Sequence, residues 1–190
     1  MNTAQDEIAS QKLAIAFLKG IGKDNRGRTV NDYFSFNETT MEYDHEWIQW
    51  AFPISTVSPH NPNAGRIFRK HNADGFFKCG SPAYVNQQKL LVQYLDSIGI
   101  VGDGIWGFNI DLNKFWVVVN HPFNHHMKRI SRVLKHLQIT GSQWIAYIGR
   151  ELYQALMIQA VRVNPYNFDQ RTLMYWAAVG GKFDNGTDWF

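Results

Sequence analysis

Apolar side chains recur at helical spacing along most of this chain, and glycine or proline closes nearly every run. That pattern restricts the fold more than any other feature, because a 3.6-residue period will not sit as a strand. Residues 6 to 19 carry Ile8, Leu13, Ile15, Ala16 and Phe17 and stop at Gly20 and Gly22. Ser81-Pro82 is a capping hydroxyl followed by a first-turn proline. Tyr84, Leu91, Leu95 and Ile98 then repeat until Gly99. Residues 125 to 138 are the clearest amphipathic helix. Residues 142 to 162 are the longest, with Ser142 as cap, and 168 to 179 the last, with Gly180 as stop. Asp44 is placed to cap a short helix to Phe52, which Pro53 ends. Phe115 to Val119 is apolar and β-branched, compatible with a strand or a buried helix.

Between these runs, Lys23 to Arg28 and the glycine-rich Asp103 to Trp106 read as turns. Ser55 to Gly80, rich in Pro, Asn and Gly, reads as one long ordered loop. Without an internal repeat or an evident linker, residues 1 to 190 are expected to form a single all-α domain. Its form would be an irregular bundle of six to eight helices. Seven Trp, eight Tyr and thirteen Phe call for a thick core. A chain of this length buries roughly 70% of its unfolded surface and needs no disulfide or metal to fold.

The net charge of +3 and a pI near 9.0 are far from the profile of a dedicated DNA-binding protein. One cysteine, Cys79, excludes an internal disulfide and fits a reducing compartment. With no apolar run of about 20 residues and no leader-like start, a cytoplasmic protein without membrane association is expected.

The stretch Glu42-Tyr-Asp-His-Glu-Trp-Ile-Gln-Trp-Ala-Phe-Pro53 resembles the signature of the opioid growth factor receptor conserved domain. In that signature an acidic residue leads into His-x-Tyr-Ile-Gln-Trp-Leu-Phe-Pro. Trp47 stands here for the usual Tyr, and Ala51 for Leu. A second block, Asn124-His-His-Met-Lys-Arg-Ile-Ser-Arg-Val-Leu-Lys-His-Leu137, is similar to the family's second run. The likeness covers roughly residues 30 to 180. It implies a compact, tail-free relative of bacterial or viral type. The family's animal members are described as receptors for an opioid pentapeptide, and their domain carries no catalytic chemistry to transfer.

Two constellations are candidate sites. On a helical wheel at about 100° per residue, Met127, Ile130, Val133, Leu134 and Leu137 share one side of the 125 to 137 segment. His125, Arg129, Arg132 and His136 lie opposite, edged by Lys128 and Lys135. Arginines three residues apart suit bidentate contact with phosphate or carboxylate. A solvated face, or an ion-pair network with Glu42, Asp44, Glu46 or Glu151, accounts for the same pattern. On the signature helix, His45 and Gln49 are four residues apart and share a face beside Trp47 and Trp50. They could read a ligand's polar edge, or be a hydrogen-bonded packing pair.

Metal chemistry has weaker support. Glu42-x-x-His45 is half of a di-iron motif whose second half is missing, and Pro122 breaks the His121 and His125 spacing. Cys79 precedes a helix start but has no base assigned to it by the sequence. The sequence therefore favours a non-enzymatic binding module, without metal, cofactor or catalytic residue. It would hold a peptide or an anionic small molecule in a groove between the two recognisable helices. The contacts would be His45, Gln49, Trp47, Trp50, His125, Arg129 and Arg132. An enzyme acting on a phosphate- or carboxylate-bearing substrate, and nucleic-acid binding through the basic helix, are the alternatives.

Overall fold

The computed structural model describes residues 3–68, 78–102, 107–119, 125–140, 143–162 and 168–185. The side chains of 143–146, 160 and 181–185 are not included. Nine α-helices, one π-helical turn and a two-stranded antiparallel sheet make up the described elements. The chain is thus mostly helical, and the purely helical expectation is corrected by the sheet. Strands β1 (Ile100–Gly102) and β2 (Phe108–Ile110) are three residues each, too short to display alternation in sequence. The glycine-rich turn expected at 103 to 106 lies outside the described residues, as do the Ser142 cap and positions 69–77 of the long loop.

The chain condenses into two compact units, Met1–Gln93 and Tyr94–Phe190. The first contains α1 (Ala4–Leu18), α2 (Val30–Tyr33), α3 (Glu38–Tyr43) and α4 (Trp47–Ala51). It also holds most of α5 (Pro82–Ser97). Short polar side chains start α1, α3 and α5. Thr3 and Asp6 form a reciprocal capping box on α1, and Asn37 accepts from the Thr40 amide at 2.8 Å on α3. Ser81 accepts from the Tyr84 amide at 3.3 Å, as its sequence context suggests. The core of this unit is aromatic. Phe17 packs against Tyr33 and Trp50 with centroids 5.0 and 5.3 Å apart, and Trp47 meets Tyr33 and Phe52 edge-on.

The second unit contains the sheet, α6 (Leu112–Val119), α7 (His126–Thr140), α8 (Gln143–Ala155), a π-helical turn (Leu156–Val161) and α9 (Gln170–Asn185). Phe115 to Val119 is therefore helical, with Asp111 capping the Asn113 and Lys114 amides at 3.0 and 3.2 Å. Helices α7, α8 and α9 pack against one another. An edge-to-face series, Phe115, Trp116, Phe168 and Trp176, joins α6 to α9, with centroids 5.5 to 5.7 Å apart. Gln159, on the π-helical turn, donates to the Phe108 carbonyl at 3.1 Å and accepts from the Ile110 amide at 2.8 Å. Its carboxamide thus occupies the backbone edge of β2 as a third strand would.

Gly180 does not end the last helix, which continues to Asn185. It is there for contact: a Cβ at this position would lie 2.5 Å from the Tyr153 ring of α8. Alanine is otherwise favoured over glycine inside a helix by about 1 kcal/mol, so the sign of a substitution tests the packing. Gly180→Ala is expected to lower stability by about 1–3 kcal/mol through overpacking. Pairing it with Tyr153→Leu should recover most of the loss, as read by urea unfolding.

Candidate functional site

The signature segment is built from inside the first unit. Its helix begins at Trp47 rather than Asp44, with Glu46 as N-cap. Asp44 is drawn out of the helix because its carboxylate has other partners. It accepts from the Glu46 amide at 2.8 Å and from both Arg26 and Arg28. The arrangement expected of His45 and Gln49 is therefore not formed. His45 precedes α4, exposed, with its ring 6.5 Å from that of His60. Gln49 is buried and donates to Ser58 Oγ at 3.2 Å. Trp47 is fully buried, its indole N–H donating to the Met41 carbonyl at 2.8 Å, and Trp50 is buried against Phe17. These two tryptophans belong to the core.

The polar centre of this unit is Arg28, in a segment the sequence marks only as a charged loop. Its Nε lies 2.7 Å from Asp24 Oδ2 and its Nη1 bonds Asp44. Its guanidinium lies 5.1 Å above the Tyr33 ring and 5.3 Å above that of Phe36. Asp24 is buried and saturated. It accepts from the amides of Arg26 and Arg28 at 2.9 and 2.8 Å and from the Tyr33 hydroxyl at 2.8 Å. Burial opposes the charge on Asp24 and Asp44. The donated hydrogen bonds outweigh it and hold both carboxyls below the usual carboxylate range. Burial, then the bond to Asp24, raises the Tyr33 phenol far above its ordinary value. Asp44 and Glu46 thus pair with Arg26 and Arg28 of their own unit.

The second constellation is also repositioned. The apolar side of α7 is as expected, with Ile130, Val133, Leu134 and Leu137 fully buried. The opposite side is not an open basic stripe. Arg129, Lys135 and His136 are buried, His125 and Arg132 are half-buried, and among the cationic and histidine side chains of this segment only Lys128 is exposed. Each of His125, Arg129, Arg132, Lys135 and His136 is engaged by a further contact. Burial pulls the Arg132 guanidinium down to about 10, against the opposing effect of Tyr175. A helix amphipathic in sequence is covered on its polar side too, so a solvated face does not describe it.

A site the sequence reading passed over lies along α5. Phe34, Tyr84, Val85, Gln88, Lys89, Val92 and Gln93 line an open groove of about 570 Å³. Tyr84, Leu91, Leu95 and Ile98 face inward as their spacing predicts. Val85 and Val92 form a second apolar stripe one residue away, 46% and 65% exposed. Gln93 fixes the groove's lip. Its Nε2 donates to the carbonyls of Tyr33, Phe34 and Phe36 at 3.1, 3.3 and 2.9 Å, closing the end of α2. Lys89 Nζ stands 4.3 Å from the Phe34 ring centre. The legible signal was the seven-residue spacing of the two valines, with Gln88 and Lys89 between them on the same face.

Among the described residues, no group of three or more His, Cys, Asp or Glu side chains is placed to hold a metal ion, and no helix is long and apolar enough to cross a membrane. Cys79 is exposed in the turn before α5. The chain matches no protein-family model, no curated protein and no solved structure.

Removing Arg28 strands two inward-facing carboxylates. Arg28→Met is expected to cost about 3–5 kcal/mol. Because Asp24 and Asp44 have lowered folded-state values, their stabilisation is present above the unfolded aspartate value of about 3.9. It is lost as pH falls through the lowered values. Urea midpoints measured against pH should therefore fall below about pH 4 for the natural chain, whereas in Arg28→Met, where protonation relieves the stranded carboxylates, the acid-induced fall should be smaller.

Proposed function

We propose that this protein is a non-enzymatic binding module, and that its ligand site is the apolar groove along α5. The observation that supports the reading is a groove of about 570 Å³ whose two valines remain exposed beside the ring of Phe34. That volume is in the range of ligand pockets, about 300–1,000 Å³, and the lining is apolar with a few polar groups. An apolar surface this continuous costs free energy in water and gains it by being covered.

The site differs from the cleft expected from the two recognisable blocks. Gln49, Trp47 and Trp50 serve it from a distance, by fixing the unit in which α2 and α5 meet. The likeness of residues 42–53 and 124–137 to the opioid growth factor receptor domain supports the binding class over the catalytic one. It does so because the transferable residues of that signature are packing residues.

Nile red, an uncharged apolar dye, is the probe. The natural chain should bind it with a fluorescence increase, and Val92→Asp should weaken binding at least ten-fold while leaving the circular dichroism unchanged. Val117→Asp, at a valine 78% exposed outside the groove, is the control and should bind as the natural chain does. Absence of dye binding by the natural chain, or equal binding by Val92→Asp, would refute the groove.

A further inference from the structure

Resting on the groove reading, we infer that its occupant is a peptide segment in which an acidic residue stands beside apolar ones, and that Lys89 reads the acid. The lining supplies three chemistries, and each selects a feature of the ligand. Val85 and Val92 are seven residues apart, which places them about 10 Å apart along the helix. A ligand that covers both must present apolar groups over that length. Tyr84 and Phe34 supply the aromatic floor and lip between them.

Among the described residues that line the groove, Lys89 is the only charged one. Its ammonium is held over the Phe34 ring at 4.3 Å, and no carboxylate among the described residues lies within ion-pair reach of it. A cation held at the edge of an apolar surface favours a ligand carboxylate and rejects a cation.

The two glutamines distinguish a peptide from a simple apolar acid. Gln93 commits its Nε2 to three carbonyls of the chain, and Gln88 commits its own to Gln87 Oε1 at 3.1 Å. Both carboxamides therefore keep an oxygen to accept hydrogen bonds. A fatty acid has no N–H to give them, whereas a peptide backbone does.

The test selects a displayed library of random 12-residue peptides on the full chain, with counter-selection on Val92→Asp. Fluorescein-labelled winners are then titrated by anisotropy. Winners should carry Asp or Glu next to apolar residues. Their affinity should fall about five-fold in Lys89→Gln, the size of an exposed ion pair. It should fall further in Lys89→Glu, and replacing the peptide's acid with Lys should restore binding to Lys89→Glu. High salt should erase these differences. Winners without acidic residues, or equal binding by the Lys89 variants, would overturn the charge reading and leave the groove intact. No Val92-dependent winner from a chain that still binds Nile red would overturn the peptide occupant alone. Loss of Nile red binding by the natural chain would remove the groove itself.

Discussion

Arg28 ties together three elements of the first unit. Its guanidinium bridges Asp24 in its own loop and Asp44 ahead of α4, while lying over the ring of Tyr33 at the end of α2. A buried carboxylate such as Asp24 is tolerable only because four hydrogen bonds are donated to it, one of them by Arg28 Nε. Once that charge is neutralised, Trp47, Trp50, Phe17 and Tyr33 can close around it. The network decides where α4 starts, because Asp44 cannot serve both Arg28 and a helix cap.

The same logic governs the second unit, with a different outcome for the sequence pattern. The wheel of α7 divides apolar from basic residues, yet Arg129, Lys135 and His136 are buried on the basic side. Helix packing against α8 and α9 consumes more of the α7 surface than an amphipathic pattern advertises. Long basic side chains can lay their methylene stems along such an interface. Lys135 shows how the charged end is accommodated, its ammonium bonded to Gln138 Oε1 at 3.0 Å.

Against these inward-turned charges, α5 leaves apolar groups outside. The groove exists because Gln93 uses its donor on the end of α2, which sets Phe34 beside the valine stripe instead of over it. One helix thus turns different residues to its two sides: Leu91 and Leu95 are buried in the core, while Val85, Lys89 and Val92, the residues of the proposed binding face, are exposed.

The amino-acid sequence alone marked the long helices and the apolar side of α5 and α7, since both follow from a local period and nearby caps, but it left 115–119 open and did not mark α2, α3 or the sheet. It also marked the signature segment as exceptional, though for its packing. Only tertiary structure decided which polar residues would be buried. A helical wheel sees one helix, whereas burial depends on how many neighbours cover it, as Arg129 and His136 demonstrate. Tertiary structure also placed Gln159 on the edge of β2 and Asp24 and Asp44 on Arg28, because these bonds span 16 to 51 residues except within the loop itself. Whether a valine is core or groove is settled in the same way: Val85 and Val92 differ from Leu91 only in what lies across from them.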